Sequence, residues 1–225
     1  MSTLVGAVTG AAACVLATPY LAGLTVSVPD RDERRWWLGR RAGGRRLLLT
    51  AAAAAVLGAL AGAAAGWSAL WPALIALALV CTPLAIIDFE HHRLPNRLMA
   101  VVWVLAAALL TLAAAVRHDW DPLLRAVEAG AAVFAVLYLL AFAAPRSFGF
   151  GDVKLGGVLG AYLGWAGWGY VYYGIFAGFL FGAVVAIGLL ASRRASLKTA
   201  LAFGPMLVLG ALVVLAFDAV PSTLG

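Results

Sequence analysis

Apolar stretches of about 20 residues follow one another along almost the whole chain, and they leave it few ways to fold. A helix of about that length spans the ~30 Å hydrocarbon core of a bilayer. The stretches fall at roughly 3–27, 47–66, 69–88, 97–116, 124–144, 154–166, 168–191 and 200–219. Composition agrees: 64% of the 225 residues are hydrophobic and 12% charged, whereas soluble domains run nearer half and a quarter. The expected fold is all-α, a polytopic membrane protein of about eight transmembrane helices. It forms a single domain over 1–225 with minimal soluble part. The sixth stretch is short for a full crossing, and the glycines and aromatics of "LGAYLGWAGWGYVYYG" suit a half-helix or a tilted one.

Basic residues set the orientation. Residues 28–46 hold seven arginines, 88–97 hold Arg93 and Arg97, 145–154 hold Arg146 and Lys154, and 192–199 hold Arg193, Arg194 and Lys198. With eight crossings these loops share one side, leaving only Arg117 and Arg125 on the other. The first side is expected to be cytoplasmic, with both termini outside. The net charge of +6 is therefore an orientation signal and not a nucleic-acid footprint. The arginine loop at 28–46 reads as anchoring against anionic lipid. No Lys or Arg precedes Arg31, so the first stretch lacks the basic start of a cleavable signal and is expected to persist as a span.

Most other features suit packing. Cys14 and Cys81 stand in apolar runs without CxxC or zinc spacing and read as small buried hydrophobes. Gly58, Gly62 and Gly66, then Gly174, Gly178 and Gly182, form small-residue ridges that let helices approach closely within one chain or between chains. Trp67, Trp71, Trp103, Trp165, Trp168, Tyr170 and Tyr172 fall near span ends as interface anchors.

Ionisable residues inside spans are costly and need a reason. Asp218 falls near the outer end of the last span and reads as interfacial. Glu128 follows Arg125 by three residues, and an intrahelical pair is expected. "IIDFEHHRLPNRL", residues 86–98, gathers Asp88, Glu90, His91 and His92, yet adjacent histidines point to different helix faces and no metal-ligand spacing is present. Leu94-Pro95 then ends the helix, because proline disfavours helical geometry at the residue before it. "SFGFGDVKLGG", residues 147–157, repeats that situation. Gly149 and Gly151 permit unusual backbone and close approach, and Asp152 follows at a helix N-terminus, which favours a carboxylate, as Lys154 also would. Asp88 and Asp152 are thus brought to one depth on the cytoplasmic side. Two carboxylates that share one proton can hydrolyse a peptide bond without metal or covalent intermediate: one activates water, the other polarises the carbonyl and donates to the leaving amine. Acids at broken helices suit an ion- or metal-coupled transporter as well, with Asp88, Glu128 and Asp152 as a relay.

The chain resembles the prepilin peptidases (type IV leader peptidases), intramembrane aspartic proteases of the GxGD type. Asp88 followed by Leu94-Pro95 is similar to their D-x5-L-P arrangement. Gly149-Phe150-Gly151-Asp152-Val153-Lys154-Leu155 matches GxGDxKL, and "FGPMLVLGA", residues 203–211, resembles an FGP-containing segment of the last helix. The resemblance implies that Asp88 and Asp152 are the catalytic pair. It places Gly149, Phe150, Gly151, Lys154, Leu94 and Pro95 around the active site and the approaching substrate. It implies a prokaryotic inner-membrane enzyme that cuts the short basic leader from type IV prepilins or pseudopilins, of the ordinary or the Flp/Tad type, at the cytoplasmic face. Glu90 stands where many members carry another acid and takes no catalytic role. Many members also carry a cytoplasmic domain with two zinc-binding CxxC pairs and methylate the new N-terminus. Here that segment is "PDRDERRWWLGRRAGGRR", without cysteine, so no metal and no cofactor is expected. No glycine-rich nucleotide loop supports S-adenosylmethionine binding, and a protease without methyltransferase activity is expected. An inactive assembly scaffold is the remaining alternative, against which the presence of both acids and the glycines argues.

Overall fold

The structure, a computed structural model, describes residues 2–29, 35–66, 68–143, 149–192 and 202–217. Arg31, Arg34, Trp67, Arg146, Arg193, Arg194, Lys198 and Asp218, all singled out above, lie outside these residues. Among the described residues the regular elements are helical: α1 (Ser2–Leu16), α2 (Thr18–Ser27), a 3-10 turn (Trp36–Leu38), α3 (Gly44–Ala65), α4 (Trp71–His91), α5 (Asn96–Arg117), α6 (Asp121–Ala143), α7 (Phe150–Ala166), α8 (Trp168–Ala191) and α9 (Gly204–Phe217).

Five of them, α3, α4, α5, α6 and α8, are long and apolar enough to cross a membrane, and a bent pair makes a sixth. That pair is α1 and α2. The stretch at 3–27, expected as one helix, breaks at Ala17 with a bend of 52°. Pro19 causes the break: it brings no N–H to the ladder, and its ring crowds the carbonyl one turn back. The helices α7 and α9 run 17 and 14 residues.

Glycine sets how closely the helices pack. A methyl group at Gly62 would overlap the Gly6 carbonyl, and one at Gly58 would meet the Gly10 carbonyl and Cys14. The helices α1 and α3 thus touch backbone to backbone. Gly178 of α8 fits against Leu207 of α9, and Gly210 of α9 against Gly178 in return. Along α7, Gly156, Gly160 and Gly164 receive Leu137, Val133 and Ala129 of α6. The ridges expected from sequence therefore pack inside this chain. Gly66 also caps α3 at φ +55°; its own Cβ position is open, while its Cα lies 3.1 Å from where a Gly6 Cβ would stand.

The helix α4 lies at the centre, with 61% of its span buried against 17% for α8. It packs on α3, α5 and α9. Its largest buried side chains, Leu77, Leu84 and Ile87, share the core with Leu155, Leu159 and Leu163 of α7 and Leu207 and Leu212 of α9. The Tyr162 hydroxyl donates to the Ala73 carbonyl at 2.9 Å, joining the end of α7 to the start of α4. With these two ends together, α4 and α7 run in opposite directions, and the end of α4 meets the start of α7. Both cysteines are fully buried. Trp103, Trp168 and Tyr172 are exposed, whereas Trp165, expected as an interface anchor, is buried in the core.

Candidate active site

Asp88 occupies the last turn of α4. The helix closes at His92, whose left-handed backbone (φ +50°) turns its N–H to the Asp88 carbonyl at 2.7 Å. Arg93 and Leu94 lead to Pro95, the extended N-cap of α5. The helix thus ends one turn beyond Asp88, just before the break expected at Leu94-Pro95. The Asp88 side chain is buried at 4% exposure. The C-terminal end of a helix is a poor place for a carboxylate. A second helix compensates: the N–H of Gly204, first residue of α9, donates to Asp88 Oδ2 at 3.1 Å.

Asp152 stands in the first turn of α7, after the extended N-cap Gly149. Its N–H donates to the Gly149 carbonyl at 3.0 Å. Its side chain is 9% exposed and folds back over Gly149, with Oδ2 3.3 Å from where a Cβ would stand. Asp152 Oδ1 is buried and has no hydrogen-bond partner among the described residues. Leu94 packs against both Gly151, the neighbour of Asp152, and Gly204, whose N–H holds Asp88, so the two acids stand on either side of one side chain. Each acid therefore rests on a helix N-terminus, Asp152 on its own and Asp88 on that of α9.

Leu94 joins the two halves. Its Cβ lies 2.9 Å from where a Gly151 Cβ would stand, and its methyl groups 3.4 Å from that of Gly204. The close approach that Gly151 permits is thus taken by Leu94 of the same chain. Among the described residues Lys154 pairs with no carboxylate. Its Nζ donates to Asn96 Oδ1 at 2.9 Å and lies 4.9 Å from the centre of the Phe150 ring. Phe150 is half exposed and meets Phe134 and Tyr138 of α6 edge to face, at 6.4 and 6.2 Å between ring centres.

The other acids part company with this pair. Glu90 accepts both of its bonds from Arg46 Nη2, at 3.0 and 2.7 Å, while Arg46 Nη1 donates to the Thr25 carbonyl and hydroxyl at 3.1 Å. This clasp holds α2, α3 and α4 together. Arg93 adds a bond to the Pro29 carbonyl at 2.9 Å. Two arginines at this end are therefore occupied by protein. Glu128 corrects an expectation: it is exposed on the outside of α6 and makes no pair with Arg125 among the described residues. Arg125 turns instead to the open carbonyls at the end of α7, those of Gly164 and Trp165, at 2.8 and 2.9 Å. Glu128 borders Ala129, which packs on Gly164, twelve residues along α7 from Asp152. That is about 18 Å at helical rise, so a relay through the three acids has no continuity.

Among the described residues no group of three His, Cys, Asp or Glu gathers around a common point. What the site offers is two buried carboxyl groups on either side of Leu94, with one oxygen that has no partner among the described residues. Such a pair is suited to moving protons. Gly204 is the residue that reading the sequence had not placed here. The FGP resemblance pointed to its segment but not to Asp88, 116 positions away.

No curated protein and no solved structure matches the chain. The family profile of the type IV leader peptidases matches residues 73–187, from the first turn of α4 into the last turns of α8, and this half of the chain carries both acids. With that match, the chain belongs to the type IV leader peptidase family.

Proposed function

We propose that this protein is an aspartic endopeptidase of the GxGD type that removes the leader of type IV prepilins or pseudopilins, with Asp88 and Asp152 as the catalytic pair. The observation that carries the reading is the buried Oδ1 of Asp152, without a hydrogen-bond partner among the described residues, across Leu94 from Asp88 and its Gly204 N–H. Two carboxyl groups so placed share one proton. The ionised member takes a proton from water as the water oxygen adds to the scissile carbonyl carbon, while the protonated member gives its proton to the carbonyl oxygen. As the tetrahedral species collapses, the newly protonated member gives its proton to the amide nitrogen, the other member takes one from a hydroxyl as the carbonyl re-forms, and the C–N bond breaks. The pair is left singly protonated, as it began.

In this reading the chain crosses an inner membrane eight times, with the bent α1–α2 pair, α7 and α9 among the crossings and both termini outside. The acid pair then lies at the cytoplasmic face, where the basic leader of the substrate remains. Phe150, exposed beside Asp152, meets the substrate's hydrophobic helix. Leader removal proceeds without N-methylation, because no glycine-rich nucleotide loop is present to hold S-adenosylmethionine. Cleavage of a prepilin-like peptide in reconstituted membranes tests the reading. Wild type should cut, and folded Asp88→Asn and Asp152→Asn should both be inactive; near wild-type cleavage by either refutes the dyad. Transfer of a labelled methyl group from S-adenosylmethionine to the product would refute the protease-only assignment.

A further inference from the structure

At the end of α7 remote from Asp152, a cavity of about 270 Å³ opens between the ends of α5, α6 and α7. Arg117, Asp119, Asp121, Arg125 and Trp165 line it. By the same measure a site for one water needs only about 10–15 Å³. Trp165 lies thirteen residues along α7 from Asp152, about 20 Å at helical rise. This cavity is therefore separate from the acid pair. Trp120 and Trp168, half exposed and next in sequence to lining segments, mark its depth as that of the lipid headgroups.

Arg117 and Arg125 are also the two basic residues that the orientation pattern leaves on this side, and they need reasons of their own. Arg125 has one, the α7 carbonyls that it caps. Arg117 ends α5, where any cation suits the helix dipole. The dipole does not account for its geometry, however. Arg117 Nε is buried and makes no hydrogen bond among the described residues, an arrangement that leaves a charged donor's bond unmade. Two carboxylates face the same space. Asp121, in the first turn of α6, is exposed, and Asp119 Oδ1 accepts the Asp121 N–H at 3.2 Å. The lining thus carries two positive and two negative groups. That balance suits neither a simple anion nor a simple cation.

We propose that this cavity binds a phosphate–ammonium zwitterion, the headgroup of an aminophospholipid in the leaflet remote from the acid pair. Arg117, which lines the cavity, takes the phosphate with its guanidinium, a group of directed donors, and Asp119 and Asp121 take the ammonium. A primary ammonium has three N–H donors for these carboxylates. A quaternary one has none, and a glycerol headgroup carries no charge for them.

Delipidated full-length protein in detergent, titrated with short-chain phosphatidylethanolamine, phosphatidylcholine and phosphatidylglycerol and read by native mass spectrometry, tests this. Phosphatidylethanolamine should bind about tenfold more tightly than the other two, and Arg117→Gln should weaken it by about tenfold, the usual scale of one charge-assisted bond. Asp121→Asn should abolish the preference while leaving phosphate-dependent binding. Arg117 has no bonded partner among the described residues, so its variant should keep wild-type circular dichroism. Equal binding of the three lipids, or binding indifferent to Arg117→Gln in a folded variant, overturns the proposal. Soluble phosphoethanolamine serves as the competitor. If it displaces the lipid only in large excess, the ligand is the lipid; if it binds as tightly as the lipid, the lipid assignment falls and a free zwitterion takes its place.

Discussion

Replacing Gly204 by alanine puts one methyl group between the start of α9 and the Asp88 carboxylate. Its carbon would stand 3.0 Å from Asp88 Oδ2 and 3.4 Å from the Leu94 methyl groups. The first distance is short enough that the carboxylate must retreat by a few tenths of an ångström, stretching the 3.1 Å bond from the Gly204 N–H. A hydrogen bond to a charged group contributes about 1.5–3 kcal/mol, and catalytic geometry tolerates little displacement, about 1 Å costing about 100-fold. A partial loss of each predicts a fall in kcat of about tenfold. KM should hold, because the substrate-facing surface is untouched. Stability should move little: alanine is the better helix former by up to about 1 kcal/mol, which offsets the crowding. The assay is leader cleavage in reconstituted membranes with kcat and KM resolved, alongside thermal unfolding of the same preparations. Wild-type kcat in Gly204→Ala, or a rise in KM at constant kcat, would refute the inference that the α9 N-terminus positions Asp88.

Further perturbations separate the site from its frame. Glu90→Gln should keep near wild-type cleavage, since Glu90 serves the Arg46 clasp; a loss beyond tenfold in a folded variant would make it part of the chemistry. The clasp pair is about one-third exposed on each side, and a double-mutant cycle over Arg46 and Glu90 should return no more than about 1 kcal/mol. Gly62→Val forces α3 away from the Gly6 carbonyl and should lower stability by about 1–3 kcal/mol, read as a reduced melting temperature; an unchanged melting temperature would mean that α1 is not packed on α3. A proton-sharing acid pair gives a bell-shaped dependence of kcat/KM on pH, and a rate flat across acidic and neutral pH would sink the paired-acid mechanism.

Much of this molecule could be read from its sequence because transfer into lipid is a residue-by-residue property. Continuous apolar runs announce the helices, and Pro95 with Gly149 marks where two of them stop or start beside an acid. Local chemistry also predicted that Gly58, Gly62, Gly178 and Gly182 would let helices touch. Local reading failed where a partner lay on another helix. Nothing near Asp88 in sequence reveals that its carboxylate rests on the Gly204 N–H, or that Leu94 fills the space left by Gly151. Arg125 was assigned to the neighbour it could reach along its own helix, Glu128, and went instead to the end of α7, whose open carbonyls were invisible until the helices were packed.

The sequence by itself thus determined the class of the protein, the helical nature of its segments and the two helix breaks that stand beside the acids, because burial of apolar length and backbone breaks are local and additive. Tertiary structure alone decided the rotation that turns Glu128 outward and the meeting of α4, α7 and α9 around Asp88 and Asp152. Those depend on which small residue on one helix admits which side chain of another. That complementarity exists only between surfaces, and no single run of sequence contains both.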